Sequence, residues 1–153
     1  MSNTLERQLP HRPARSFRTG PLALGVVAAA LASLVVNTAI ALAATSAHPS
    51  GPQTGLSAVH YAPLTVLGVL AGTAGWAFIR RNSRRPREVL RVVVPLIVLV
   101  SFVPDMLLLV LLPTTTLVNV AALLSMHIAI AAITVPMLGR VLPLPVPLPP
   151  RRG

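Results

Sequence analysis

Residues 92–138 read VVVPLIVLVSFVPDMLLLVLLPTTTLVNVAALLSMHIAIAAITVPML. The stretch contains two apolar runs, 92–112 and 117–138, joined by the short polar segment 113–116. Each run has about 20 residues, the length that an α-helix needs to cross the ~30 Å hydrocarbon core of a bilayer. Helices joined by so short a turn must be antiparallel neighbours. The stretch therefore predicts a transmembrane helical hairpin.

Two polar residues stand out within this hairpin. Asp105 is the one acid inside an apolar run, and His127 is the one histidine well inside such a run. Each lies about 14 residues from the nearest flanking arginine, which corresponds to roughly 20 Å of helix rise. Their similar depth makes Asp105 and His127 a candidate intramembrane polar pair, although spacing does not decide whether their faces meet.

The chemistry of such a pair leaves two interpretations open. A charged aspartate near the bilayer centre costs about 2.5–3.5 kcal/mol on insertion scales. A carboxyl beside an imidazole can exchange protons near neutral pH, as a proton-linked transporter or channel gate requires. The same two groups can instead form a buried hydrogen bond that orients two helices.

The composition excludes several classes of protein. The chain has 153 residues, of which 54% are hydrophobic and 10% are charged, whereas soluble domains are about 25% charged. Without cysteine there is no disulfide, thiolate metal site or cysteine nucleophile. The sequence contains no G-x-S-x-G, H-E-x-x-H or phosphate-binding glycine loop, and its two loop histidines have no nearby acid. We therefore expect no enzyme activity, no metal site and no cofactor.

Two more apolar runs precede the hairpin, so the sequence predicts an all-α integral membrane four-helix bundle. The predicted organisation is a disordered basic arm over residues 1–20, a four-span membrane domain over 21–140 and a proline-rich tail over 141–153. The spans are predicted at about 21–44, 62–80, 91–112 and 116–139.

Small and polar residues recur at helical spacing in these runs. The first run has a small or polar residue at every fourth position, a pattern that lets helix backbones approach closely. The second contains a GxxxG motif and a third glycine on the same face. The helix-packing residues predicted from these patterns are Gly25, Ser33, Asn37, Gly68, Gly72, Gly75 and Asn119. They predict close contact between helices of one chain or in a homo-oligomer.

The basic residues set the predicted orientation. The net charge is +10, and the arginines fall in the N-terminal arm, in the loop after the second run and in the tail. The loop arginines are Arg80, Arg81, Arg84, Arg85, Arg87 and Arg91. The positive-inside rule then predicts a bacterial plasma-membrane protein with both termini cytoplasmic. These arginines fix topology or bind anionic lipid headgroups; because they flank apolar runs, we expect no nucleic-acid binding.

The two ends of the chain leave alternatives open. Residues 41–43 read ALA and resemble a signal-peptide cleavage site, which would release a secreted soluble remnant. The first apolar run is longer than the ~7–15 residues of a signal sequence, so we expect a retained helix. In the tail, Pro147, Pro150 and Arg152 match a PxxPxR ligand pattern, but a stiff polyproline-like segment is the favoured interpretation.

Several features together resemble a known family. These are the basic arm, the alanine-rich first span with an asparagine near its outer end, the arginine-rich second loop, and LSMHIA at 124–129 followed by Val135 and Pro136. They are similar to DUF6069, a family of four-span membrane proteins common in actinobacteria and named only as a domain of unknown function. The resemblance covers about residues 20–140. It implies a four-helix integral membrane protein and supplies no activity, ligand or catalytic residue.

The sequence thus favours a non-enzymatic membrane protein that packs or binds partners in the lipid bilayer. The alternative is a small proton-linked transporter or channel subunit that works through Asp105 and His127. Because four helices enclose little space, this alternative predicts an oligomer.

Overall fold

The computed structural model describes residues 19–49, 51 and 54–145, and four α-helices account for most of them. They are α1 (Thr19–Ala47), α2 (Ala58–Asn82), α3 (Pro86–Leu111) and α4 (Leu117–Val141). No strand occurs among these residues. By length and composition, each helix can cross a membrane. The predicted all-α, four-helix fold is confirmed.

The helices extend beyond the predicted spans. α1 ends three residues later than expected, α2 begins at Ala58 instead of residue 62, and α3 begins at Pro86 instead of residue 91. Apolar runs mark the part of a helix that fits the hydrocarbon core, whereas backbone hydrogen bonding continues into polar flanks. Pro86 suits a first helical position, where no backbone donor is needed. The predicted arm lies outside the described residues up to residue 18, as does the tail from residue 146.

The helices pack around α4, which contacts each of the other three. α1 and α4 run antiparallel and form the most extensive contact, and α2 lies against both of them. α3 packs mainly on α4, touches α2 less, and does not contact α1. α3 is also continuous through Pro95 and Pro104, because a transmembrane helix tolerates proline where neighbouring groups compensate.

Two apolar clusters lie at opposite ends of the bundle. At the end remote from the loop arginines, α1, α2, α4 and the first loop contribute Ala41, Leu56, Tyr61, Ala122, Leu123 and Met126. Gly55 lets the loop turn over this cluster, since its φ of +77° is in the left-handed region that favours glycine. At the arginine end, the cluster consists of Trp76, Leu90, Leu138 and Leu142.

The outer surface of the bundle is apolar. Of the residues of α3, only Pro86, Leu90 and Asp105 are buried, and many of its large apolar side chains, such as Leu99 and Val110, are exposed. In water such a surface would cause aggregation, but it matches the hydrocarbon interior of a bilayer. The chain is therefore a multi-pass integral membrane protein.

Candidate functional site

The structure brings the predicted polar pair together. Asp105 in α3 and His127 in α4 lie on facing sides of the helical hairpin, and Asp105 Oδ2 is 3.2 Å from His127 Nδ1. Asp105 is buried, whereas one third of the histidine side chain is exposed. The turn at 112–116 is short enough to hold the two helices side by side, and Thr116 fixes where α4 begins by accepting a hydrogen bond from the Asn119 N–H.

One nitrogen of the histidine lies between two oxygen atoms. His127 Nδ1 is 2.9 Å from the Leu123 carbonyl oxygen, one turn earlier in α4. Asp105 Oδ2 is within ion-pair distance but has no partner in hydrogen-bond geometry among the described residues. Phe102 packs edge-on against the imidazole at a centroid distance of 6.3 Å. Because a carbonyl oxygen only accepts, the hydrogen bond to Leu123 requires a proton on His127 Nδ1. Asp105 Oδ2 lies close to the same nitrogen as a second acceptor oxygen.

Ser101 does not join this pair. Although Ser101 lies one turn before Asp105, its hydroxyl donates to the Val98 carbonyl oxygen at 2.7 Å. Serine hydroxyls commonly bond back to their own helix in apolar surroundings. The pair is therefore formed by one side chain from each helix.

A second polar contact joins α1 and α2. The Asn37 amide donates from Nδ2 to Thr65 Oγ1 at 2.8 Å, and both residues are fully buried. Thr65 in turn donates to the Tyr61 carbonyl oxygen at 2.8 Å, and the Tyr61 hydroxyl lies 2.9 Å from Thr38 Oγ1. The sequence predicts Asn37 as a helix-packing residue but does not indicate its partners. Their only signal was the four-residue spacing of Tyr61 and Thr65, which places them on one helical face.

The small and polar residues that recur along α1 are buried. The stretch of α1 from Gly25 to Ala41 buries one residue in four: Gly25, Ala29, Ser33, Asn37 and Ala41. At Gly25 this face lies on α4, since a Cβ added there would come within 2.5 Å of Val141 Cγ1.

Buried polar atoms also occur without a described partner. Ser33 Oγ, Asn37 Oδ1 and Thr134 Oγ1 have no hydrogen-bond partner among the described residues. Asn119 is buried at the start of α4, where its side chain Oδ1 accepts a hydrogen bond from Thr116. The hydrogen bonds of Asn119 with Thr116 thus stabilise the N-terminus of α4, whereas Ser33, Asn37 and Thr134 lie deeper in the bundle.

The glycines of α2 are exposed. A Cβ at Gly68 or Gly72 would meet α4 only at 3.8 Å, from Ile130 and Thr134 respectively, and a Cβ at Gly75 would meet nothing within 4 Å. The buried face of α2 is instead formed by Tyr61, Thr65, Val69 and Trp76. The glycine face is therefore not used for close contact with α1.

The six loop arginines are mostly helical. Arg80 and Arg81 end α2, Arg84 and Arg85 lie in the connection, and Arg87 and Arg91 lie in the first turns of α3. Arg85 forms an exposed ion pair with Glu88 at 3.4 Å. Such surface pairs contribute little to stability, so Arg85 remains available to solvent and headgroups.

The segment after α4 is held against the end of α2. The indole N–H of Trp76 donates to the Leu142 carbonyl oxygen at 3.1 Å, and Arg80 Nε donates to the Pro143 carbonyl oxygen at 3.0 Å. Trp76 lies near the loop arginines, but its side chain is largely buried, with 7% of the residue exposed. Nothing in the local sequence indicated this contact, because its partners are more than 60 residues away.

Titratable side chains are otherwise scattered. In the described ranges, no three of His, Cys, Asp and Glu come close enough to hold a metal ion. In the first loop, His60 bonds through Nδ1 to the nearby Ser57 hydroxyl. The Asp105–His127 pair is thus the main concentration of proton-exchanging groups at bilayer depth in the part of the chain described here.

Comparison with known proteins identifies the family of the chain. No curated protein and no solved structure matches the chain. One family model, described as a family of unknown function, matches residues 11–143. That match covers all four helices and both residues of the polar pair. The chain belongs to the family of unknown function DUF6069.

Proposed function

We propose that the chain is a non-enzymatic protein of the bacterial plasma membrane that forms a stable helical scaffold and binds partners within the bilayer. One observation carries this proposal: the polar side chains at bilayer depth join neighbouring helices. Asn37 bonds to Thr65 between α1 and α2, and Asp105 contacts His127 between α3 and α4. In hydrocarbon, such polar contacts hold helices together, at about 0.6 kcal/mol each and up to ~1.7.

The proposed orientation places both termini in the cytoplasm. The arginines lie at the ends of α2 and α3 that face each other across one connection, whereas the first loop, between α1 and α2, has none. Because the chain lacks cysteine, single cysteines can report this orientation. In intact cells, an impermeant maleimide should label Ser46→Cys and should label Ser83→Cys only after permeabilisation. The reverse pattern would refute the orientation.

The proposed partner includes a second copy of the chain. The face of α2 that carries Gly68, Gly72 and Gly75 is exposed and has the small residues that let a second helix backbone approach closely. Gly75→Cys should form a disulfide-linked dimer in native membranes on mild oxidation. Val100→Cys, on the outward face of α3, is the matched control and should stay monomeric. Equal crosslinking of both variants, or of neither, would contradict this interface.

A second function is favoured by the geometry of the polar pair. Asp105 Oδ2 and the Leu123 carbonyl oxygen flank the same nitrogen of His127. Transfer of a proton from a protonated imidazole to the Asp105 carboxylate would need a rotation of the ring that turns the Nδ1–H from the Leu123 oxygen towards Oδ2. This supports a proton-linked role as the second candidate, in which the pair takes up and releases a proton within the bilayer.

One experiment separates the two functions. Proton flux and membrane abundance are measured in vesicles that carry wild type, Asp105→Asn or His127→Gln. Ser125→Ala is the control, since Ser125 is an exposed polar residue of α4 that bonds to its own helix. Loss of flux at normal abundance supports the proton-linked role. Reduced abundance, or a wild type without flux above empty vesicles, supports the scaffold.

A further inference from the structure

A groove of about 440 Å³ opens between α2, α3 and α4 at the arginine end of the bundle. Its walls are mostly apolar and include Trp76, Val94, Pro95 and Val135. Arg87 and Arg91 also line it. The groove thus combines an apolar wall with two cationic side chains.

The two arginines are free to bind an anion. Both are exposed, and neither has a hydrogen-bond or ion-pair partner among the described residues. Glu88, the acid nearest to them in sequence, is paired with Arg85 instead. Arg87 and Arg91 are four residues apart and therefore lie on one face of α3, where like charges repel. A phosphate placed between them would relieve this repulsion and accept hydrogen bonds from both guanidinium groups.

The apolar wall of the groove lies deeper in the bilayer than the two arginines. Val94 and Pro95 follow Arg91 by about one helical turn, so they lie roughly 5 Å further into the bilayer. An apolar wall immediately below a pair of cations complements a molecule with an anionic head and a hydrocarbon tail. Protein side chains seldom combine these two properties, whereas every anionic phospholipid of the surrounding leaflet does.

We propose that this groove is a binding site for one anionic glycerophospholipid, with its phosphate between Arg87 and Arg91 and an acyl chain along Trp76 and Pro95. The proposal is independent of the Asp105–His127 pair, which lies nearer the other end of α3. It assigns the two arginines a binding role beyond topology. Arg81 and Arg84, which do not line the groove, have no part in it.

The indole of Trp76 provides the readout, because Trp76 is the one tryptophan of the chain. Full-length protein is reconstituted in phosphatidylcholine vesicles that contain increasing fractions of a bromine-labelled lipid, which quenches tryptophan on contact. Brominated phosphatidylglycerol should reach half-quenching at a mole fraction about 25-fold lower than brominated phosphatidylcholine, because the proposed site has two arginines. Each arginine near a membrane surface supplies about a factor of five in affinity for anionic lipid. Equal quenching by the two lipids would overturn the proposal.

Matched variants distinguish a site from general charge attraction. Arg87→Gln with Arg91→Gln should remove the preference for phosphatidylglycerol, whereas Arg81→Gln with Arg84→Gln loses the same charge and should keep it. Equal losses in both double variants would refute a specific site. Val94→Phe narrows the groove without changing charge and should also reduce quenching, so retention of full quenching would contradict the acyl-chain position.

A final experiment distinguishes binding of a lipid from binding of a soluble anion. Inorganic phosphate is added to wild-type vesicles, with sodium chloride of equal ionic strength as the control. If the groove binds lipid, added phosphate should restore no more of the quenched Trp76 fluorescence than sodium chloride does. Complete recovery of Trp76 fluorescence on addition of phosphate would show a simple anion site and overturn the assignment to a phospholipid.

Discussion

The contact between α1 and α4 is most sharply tested by adding one methyl group at Gly25. A Cβ at this position would lie 2.5 Å from Val141 Cγ1, 3.2 Å from Cγ2 and 3.3 Å from Cβ. Turning the valine side chain relieves the first contact but not the last, so the helices must separate slightly. Overpacking of this kind costs about 1–3 kcal/mol.

The matched control is Gly139→Ala, near the same end of the bundle. A Cβ there would meet nothing within 4 Å. Replacing glycine by alanine inside a helix favours folding by about 1 kcal/mol in both variants, so this contribution cancels between them. We therefore expect Gly25→Ala to be less stable than Gly139→Ala by about 1–3 kcal/mol, which is the overpacking contribution alone.

The assay is unfolding from dodecylmaltoside micelles by sodium dodecyl sulfate, followed by Trp76 emission. Trp76 is a suitable reporter because it belongs to the apolar cluster against which Val141 packs. Val141→Ala should restore much of the stability lost in Gly25→Ala, since it removes both close methyl groups. Equal stability of the two glycine variants, or no rescue by Val141→Ala, would refute the close approach of α1 and α4 at this point.

Three further predictions concern single contacts. In a double-mutant cycle, Asn37→Ala and Thr65→Val should show a coupling energy of about 0.6 kcal/mol, up to ~1.7; additivity within error would contradict their hydrogen bond. Thr116→Ala should lower the free energy of unfolding by about 1 kcal/mol through loss of the helix cap, whereas the exposed Thr114→Ala should be neutral; equal effects would exclude capping. Trp76→Phe removes one hydrogen bond worth about 1 kcal/mol and should speed amide exchange at the end of α4, while unchanged exchange there would contradict that bond.

The sequence predicted the polar residues better than their partners. Asp105 and His127 stood out because charge and imidazole are rare inside apolar runs, and counting from the flanking arginines placed both at similar depth. Their contact could not be predicted, because depth leaves open how each helix is rotated. The same uncertainty hid the partners of Asn37, since serine and threonine are common in transmembrane helices and carry no distinct signal.

Helix rotation also explains the difference between the two glycine patterns. Gly25 and the small residues that follow it are buried against α4, whereas Gly68, Gly72 and Gly75 are exposed. Both patterns place small residues along one helical face, so sequence periodicity alone cannot separate them. The structure separates them because Thr65 and Trp76 turn the neighbouring face of α2 inwards through their hydrogen bonds to α1 and to the end of α4.

The sequence by itself determined the number of helices, their approximate ends and the concentration of arginines at one end. Those properties depend on transfer of each segment from water to hydrocarbon, which its own residues decide. Only the tertiary structure decided which faces meet, which polar groups pair and where the groove beside Arg87 and Arg91 opens. A helix that is apolar on every side has no preferred face towards lipid, so steric fit and a few polar contacts between helices fix its rotation.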